Sequence, residues 1–241
     1  MKRLAAFTLA AIASAHCWGE DQSQGRNPRL SGGVISYVEN GERLELKVGK
    51  PCSDLWVSPD GSVIAFIAIE KAQPPTSNEQ GPFIEESSVY VAWRSQHFRP
   101  TRLDIDLVSI DGKPWRIFRQ PSVSPDLATV YFLVPYTMTT WRLFSRPLVD
   151  GSVKDLGDAM AYCVVWGGQY TGDLMTVVRR ESTTGPPPRG VTYPCYLSGQ
   201  GASRTNLADG VSQDCVEFGA FSARWGEEHG GVCRPNLAGA R

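Results

Sequence analysis

The sequence predicts an all-β fold, a small β-propeller-like array of about four antiparallel blades. Short segments rich in β-branched and aromatic residues recur along the chain, each bounded by turn-forming residues. The chain also holds 24 Gly and 17 Pro, and no stretch after its first residues keeps an apolar period of 3.6 residues for three turns. Helices are therefore not expected. The predicted strands are 34–38, 44–48, 63–69, 89–93, 130–135, 141–145, 164–166, 174–179 and 191–197.

A repeated segment is the stronger indication of the architecture. Residues 55–69 read LWVSPDGSVIAFIAI and residues 121–135 read PSVSPDLATVYFLVP, so both place an apolar strand after a Ser-Pro-Asp turn. A degenerate third copy covers 163–179. We expect a fourth copy over 215–225, in CVEFGAFSARW.

A second element precedes each copy after the first. It consists of a strand, a Gly-containing turn and a second strand, in 108–118, 147–156 and 196–207. Asp-Gly pairs at 111–112 and 150–151 are strong hairpin turns, because Gly accepts the positive φ of tight turns. The whole unit has four antiparallel strands, as a propeller blade has, and copies two and three lie about 42 residues apart, close to one blade length.

The Ser-Pro-Asp segments resemble a known family. Residues 57–61, Val-Ser-Pro-Asp-Gly, resemble the repeat of TolB-type, WD-like β-propeller proteins, and residues 124–126 match it with Leu127 in the place of Gly. The resemblance implies a propeller with a face that binds other proteins. Repeats of this kind occur in proteins of many functions, so they indicate the fold better than the activity.

The N-terminal hairpin is a candidate for closing the propeller. Residues 33–48 form a predicted hairpin around Asn40-Gly41, ahead of the first Ser-Pro-Asp turn. The fourth copy has only one clear strand, so this hairpin could complete it. The alternative is an open array that pairs with another chain through its free strand edges.

The N-terminus predicts export. Lys2 and Arg3 precede an uncharged run over 4–15 that ends in Ala-Ser-Ala, as in a cleaved signal peptide. The run is shorter than the roughly 20 apolar residues of a membrane span. A lipid anchor on Cys17 is an alternative, although His16 occupies the position before it, where lipoprotein signals have a small residue.

Four regions follow from these features: a signal peptide at 1–15, a flexible segment at 16–32, a propeller-like domain at 33–226 and a Gly-rich tail at 227–241. No later segment is long and apolar enough to insert into a membrane. The predicted location is periplasmic or extracellular. The oligomeric state stays open.

Six cysteines remain after the predicted cleavage, and an even number in an exported chain suggests disulfides. We expect Cys163 to pair with Cys215, since both precede an innermost predicted strand. Cys17 with Cys233 would tie the two termini. The full set of disulfide candidates is Cys163, Cys215, Cys17, Cys233, Cys52 and Cys195.

The sequence contains no recognisable catalytic, cofactor-binding or metal-binding motif. Glu227, Glu228 and His229 could in principle touch a metal, but adjacent residues in a Gly-rich segment rarely converge on one ion. The other histidines are His16 and His97. With 24 Lys and Arg against 25 Asp and Glu, and no basic cluster, the chain lacks the charge pattern of nucleic-acid binding.

The predicted function is that of a non-enzymatic binding or scaffold protein with a protein partner and without a cofactor. The Pro-rich, acidic loop over 72–87 is the natural contact element. The alternative is a hydrolase or lyase with its site at the central channel. The predicted innermost strands disfavour it, because they are mostly apolar and Glu217 is the only carboxylate assigned to them.

Overall fold

Antiparallel sheets follow one another along the chain and pack face to face. The computed structural model describes residues 28–39, 42–73, 83–108, 112, 114–137, 140–181, 191–199, 204–210 and 215–235. The predicted signal peptide, Cys17, the Asn40-Gly41 turn and the middle of the 72–87 loop lie outside these residues. The sheets confirm the all-β, propeller-like prediction.

A three-stranded N-terminal sheet comes first. Its strands pair antiparallel in sequence order. Ile35 and Tyr37 are buried and alternate with partly buried residues, so one face of this sheet packs on the next sheet. The strands are β1 (Arg29–Ser31), β2 (Val34–Glu39) and β3 (Glu42–Lys47).

Blade 1 is a four-stranded meander with its strands in sequence order. Its first strand is innermost and its last is a two-residue edge strand. The central strands are long and mostly apolar, since sheets cover both of their faces. The strands are β4 (Cys52–Val57), β5 (Val63–Gln73), β6 (Phe83–Trp93) and β7 (Thr101–Arg102).

Blade 2 repeats this arrangement in four strands. It packs on blade 1 through a core that includes Val91 of blade 1 and Phe132 of blade 2. The strands are β8 (Arg119–Val123), β9 (Thr129–Pro135), β10 (Trp141–Pro147) and β11 (Lys154–Asp158).

Blade 3 begins with β12 (Ala161–Trp166) and β13 (Leu174–Val177). A separate pair, β14 (Arg180–Glu181) and β15 (Val191–Thr192), interrupts it. The blade continues with two more strands, and after a helix a final two-residue strand pairs with the end of β12 on the side away from β13. The last elements are β16 (Cys195–Ser198), β17 (Arg204–Ala208), α1 (Cys215–Glu228) and β18 (Val232–Cys233).

The predicted fourth copy is wrong: residues 215–225 lie in α1. Phe218, Ser222 and Trp225 are buried on one side of this helix, at helical spacing, and Phe218 and Trp225 share the core of blade 3. The apolar face of α1 therefore packs on blade 3. The region predicted to be a Gly-rich tail, 227–241, contains the end of α1 at Glu228 and the strand β18, which joins the sheet of blade 3.

The N-terminal sheet packs on blade 1, not on the C-terminal elements. Within the described residues, neither strand pairing nor a shared core cluster joins this sheet to blade 3 or α1. Closure by the N-terminal hairpin is thus not confirmed. No helix in the described part of the chain is long and apolar enough to cross a membrane.

Candidate functional site

Polar residues of different elements come together at the meeting point of the innermost strands and in a cleft on the rim of blade 1. At the meeting point, β4 and β8 each carry a bulge. Asp54 in β4 and Gln120 in β8 occupy equivalent bulge positions, with φ of 52° and 50°. Backbone in this left-handed region is strained for a residue other than Gly, so surrounding contacts must hold it.

Hydrogen bonds between the three innermost strands supply those contacts. Asp54 Oδ2 accepts a hydrogen bond from the backbone N–H of Gln120 at 3.0 Å. The Gln120 carbonyl oxygen accepts one from the Tyr162 hydroxyl at 2.5 Å, and Ser122 Oγ donates to the same hydroxyl at 3.1 Å. Tyr162, in β12, takes the corresponding position in blade 3 without a bulge. We call Asp54, Gln120, Ser122 and Tyr162 the inner-strand network.

The inner-strand network is buried. Asp54 is 2% exposed and Gln120 6%. Burial raises the pKa of Asp54, while Arg119, with Nη1 3.9 Å from Oδ2, and the Gln120 N–H oppose that rise. Burial also raises the pKa of Tyr162, which therefore acts as a neutral donor.

A tryptophan pair lies beside the network. The rings of Trp56 in β4 and Trp166 in β12 are 5.8 Å apart, so blades 1 and 3 touch directly. Buried hydrogen bonds and this ring contact therefore join the innermost strands of the three blades. Sequence reasoning missed Asp54, because the first predicted inner strand began at Leu55, whereas β4 begins at Cys52.

The two Ser-Pro-Asp turns hold the ends of inner strands. Ser58 Oγ donates to Asp60 Oδ1 at 2.6 Å and accepts from the backbone N–H of Val63. Ser124 and Asp126 form the same contact at 2.5 Å. In each turn the Ser and Asp side chains satisfy neighbouring polar groups of the loop, which is the role of turn residues and not of a ligand site.

The disulfide joins Cys163 to Cys233, with their Cα atoms 5.6 Å apart. The predicted partner Cys215 is therefore wrong, and Cys233 is not available to Cys17. The physical reason is β18, which brings Cys233 beside β12.

Among the described cysteines, Cys52 and Cys195 are free thiols. Burial raises the pKa of Cys52 to about 11 and that of Cys195 to about 12, so neither is a reactive thiolate at neutral pH.

The remaining residues considered for chemistry have structural surroundings. The Nδ1 of His229 lies 2.7 Å from the Trp225 carbonyl oxygen, and the imidazole stacks on the Trp225 ring at 4.3 Å. Within the described residues, no group of three or more His, Cys, Asp or Glu is placed to hold a metal ion. Glu217 lies exposed on α1 and not on an innermost strand.

The rim cleft forms where the chain leaves the edge of β6 and returns to it. The backbone N–H of Leu103 donates to Val89, and that of Ser87 donates to Arg116, so two chain segments meet β6 in succession. The gap between the segments is a cavity of about 190 Å³. Its lining residues are Glu86, Ser87, Ser88, Arg102, Leu103, Asp104, Ile105, Pro114, Trp115, Arg116 and Phe118.

The cleft combines an apolar floor with a charged rim. Leu103 and Phe118 are 6% and 5% exposed and belong to the core between blades 1 and 2. At the rim, Arg116 Nη1 lies 3.0 Å from Glu86 Oε2. Arg102 is exposed and donates from Nε to Ser88 Oγ at 3.1 Å. No sequence motif indicates this site, because its residues converge only in the folded chain.

Comparison with known proteins yields matches to solved structures alone. No family model matches the chain, and no curated protein matches it. The similar structures include a β-propeller domain of a protease, a peptidase and TolB proteins. One is the β-propeller domain of the Trilobed protease from Pyrococcus furiosus, at 11% identity and a TM-score of 0.43, covering 77% of this chain and 57% of that one. That domain has an open velcro topology.

Two further structures have comparable similarity. The acylaminoacyl peptidase from Pyrococcus horikoshii matches at 11% identity and a TM-score of 0.43, over 77% of this chain and 32% of that one. TolB from Acinetobacter baumannii matches at 15% identity and a TM-score of 0.37, over 76% and 43%. The chain thus spans from about a third to somewhat over half of the length of these three structures.

Proposed function

We propose that this chain is an exported, non-enzymatic scaffold that binds a protein partner at the rim cleft of blade 1. One contrast carries the proposal: buried hydrogen bonds tie the innermost strands to one another, whereas the rim of blade 1 keeps an open cleft. The proposed location is the periplasm or the extracellular space.

The inner-strand network argues against a catalytic site at the central channel. A general acid or base must reach the proton that it transfers. Asp54, the carboxylate placed there, is 2% exposed and bonded to the Gln120 backbone. Its neighbours Tyr162 and Ser122 donate hydrogen bonds within the same network. These groups hold three blades together and are not available to a substrate.

The rim of blade 1 has the features of a contact surface. An apolar floor within a polar rim is typical of the points where protein interfaces anchor. The cleft adjoins the β5–β6 hairpin, whose residues 71–73 are exposed and lead into the Pro-rich insertion. The disulfide between Cys163 and Cys233 suits an oxidising compartment, as the proposed export requires.

Site-specific photo-crosslinking tests the binding proposal. A photoreactive phenylalanine analogue is placed at Asp104, an exposed lining residue, and the full chain is expressed in its own host. We expect a discrete crosslinked protein that an excess of unlabelled chain competes away. The control position is Arg43, exposed on the outer side of the N-terminal sheet. Equal products from both positions, or none from Asp104, would refute the proposal.

Export has its own test. Intact mass of the chain purified from the periplasm or the medium is expected to fit a first residue at His16. A lipid-sized increment on Cys17 would instead identify a lipoprotein. A full-length mass from the cytoplasmic fraction would overturn the export proposal. The binding proposal would then depend on the crosslinking result alone.

A further inference from the structure

We propose that the rim cleft binds an extended peptide that places one apolar side chain beside one carboxylate, and that Arg102 is the ligand of this carboxylate. The inference rests on the proposed function, since it specifies what the partner offers to the cleft. It follows from the hydrogen bonding of Arg102, from the floor of the cleft and from the charges around it.

Arg102 presents a free guanidinium edge. Its Nε donates to Ser88 Oγ at 3.1 Å, which orients the planar group. No hydrogen bond or ion pair joins its Nη1 or Nη2 to another described residue. The nearby carboxylate of Glu70 pairs with Lys50, and the charge of Arg102 helps to lower the pKa of Glu70 without a direct ion pair between the two side chains. A guanidinium with two free, preoriented donors matches a carboxylate in a bidentate pair.

The floor of the cleft accepts one apolar side chain. Leu103 and Phe118 form it, and Ile105 and Trp115 pack against the same core as partly buried walls. A volume of about 190 Å³ is below the roughly 300–1,000 Å³ of pockets for drug-sized ligands and cofactors. The cleft therefore fits a single anchoring side chain, and the rest of the ligand must lie along the rim.

The other charges of the rim limit the ligand to one carboxylate. Arg116 is 3.0 Å from Glu86, so its charge is largely matched within the cleft. Asp104 is exposed beside Arg102 and would repel a second acidic group. A run of acidic residues is thus disfavoured, which gives the cleft selectivity through repulsion as well as attraction.

The shape of the cleft favours an extended ligand. Its two walls, 103–105 and 114–118, are stretches of chain without helix, and they meet the edge of β6 one after the other. β7 covers only Tyr90 and Val91 of β6. An extended peptide can lie in the gap between these two walls, while a helix would keep most of its side chains away from the narrow gap.

Peptide selection on the full-length mature chain tests the inference. The probe is a phage-displayed library of random linear peptides. We expect enriched sequences that share an Asp or Glu next to an apolar residue. A synthetic peptide of the enriched sequence should bind at least tenfold more tightly than the same peptide with Asn or Gln in place of the acid.

The variant Arg102→Gln should reduce affinity for the synthetic peptide at least tenfold, and Arg102→Lys should restore only part of it, because Lys lacks the planar fork. Arg43→Gln, an exposed change on the N-terminal sheet, is the matched control and should bind as the unchanged chain does. Thermal unfolding of each variant establishes that the loss is not a loss of fold.

Enriched peptides without a shared acid, no enrichment at all, or equal binding by Arg102→Gln would overturn the inference. Its failure is separable from that of the proposed function. A partner that crosslinks at Asp104 while the selected peptides lack a carboxylate preference leaves the scaffold proposal in place and removes only the role of Arg102.

Discussion

The carboxylate of Asp54 and the backbone N–H of Gln120 form a hydrogen bond of 3.0 Å between equivalent bulges of two neighbouring blades. Both residues have left-handed backbone conformations, and the hydrogen bond between them helps to hold both bulges in place. Tyr162 extends the contact to blade 3 by donating to the Gln120 carbonyl. These two hydrogen bonds therefore join blades 1, 2 and 3.

Replacing Asp54 by Asn should make the protein relatively more stable as the pH rises. Burial raises the pKa of Asp54 above its unfolded value of about 3.8, so its contribution to stability is present below that pH and lost as the pH rises through the folded pKa. Asn keeps an acceptor for the Gln120 N–H. The stability of Asp54→Asn relative to the unchanged chain should therefore be higher at pH 8 than at pH 4.5.

Urea unfolding at both pH values, followed by tryptophan fluorescence, measures this difference. Asp150→Asn is the control. Hydrogen bonds from the Ser152 backbone and side chain lower the pKa of Asp150, so this variant should show a nearly constant difference across the same range. A gain for Asp54→Asn that does not grow with pH would show that the folded protein holds the Asp54 charge without cost.

Removing the Tyr162 hydroxyl should weaken the junction of the blades. In Tyr162→Phe the buried Gln120 carbonyl loses its donor and Ser122 loses its acceptor. An unsatisfied buried group costs about 1–3 kcal/mol. Tyr131→Phe is the matched control, because that hydroxyl makes no hydrogen bond to a described residue, and it should change the free energy of unfolding by less than about 0.5 kcal/mol. Equal losses in the two variants would contradict the network.

The repeat made part of this fold predictable. Residues 55–69 and 121–135 carry their own turn chemistry, so the strands on either side of Ser58 and Ser124 follow from local preferences. The bulges do not follow from them. Asp54 and Gln120 adopt positive φ because each is bonded to a neighbouring blade, and this contact depends on tertiary packing.

The helix α1 was not predictable in the same way. Its buried side includes Ser222 between Phe218 and Trp225, and Gly219 and Gly226 lower its intrinsic helix propensity. Packing of Phe218 and Trp225 against blade 3 stabilises the helix by more than these glycines destabilise it. The rim cleft is harder still to predict, since its residues come from three separate stretches, within 86–88, 102–105 and 114–118. An Arg with one fixed and two free donors has no sequence signature.

Truncating Ser124 should raise the pKa of Asp126 and destabilise blade 2. The Ser124 hydroxyl donates to Asp126 Oδ1 and accepts from the Thr129 backbone, and the hydrogen bond from Ser124 is the main cause of the low pKa of Asp126. We expect Ser124→Ala to lose about 1–2 kcal/mol of unfolding free energy. NMR titration of the Asp126 carboxyl should show its pKa returning towards the ordinary value.

The control for Ser124→Ala is Ser62→Ala. The Ser62 hydroxyl only donates to Asp60 at an exposed position, so its removal should cost well under 1 kcal/mol. Comparable losses for the two serines would mean that the Ser124 turn adds no stability beyond an ordinary surface turn.

Removing the disulfide should destabilise the C-terminal half of the protein. Cys163 and Cys233 are separated by 70 residues, and closing a loop of that length restricts the unfolded chain by about 4 kcal/mol. The double variant Cys163→Ala with Cys233→Ala should lose about that much and release β18 and α1 first. Hydrogen exchange of the α1 amides and urea unfolding measure both effects.

The control for the disulfide variant is Cys52→Ala, which removes a half-buried free thiol and should leave the free energy of unfolding nearly unchanged. Peptide mapping that links Cys163 to Cys215 would contradict this account, because β18 would then have no covalent tie to β12.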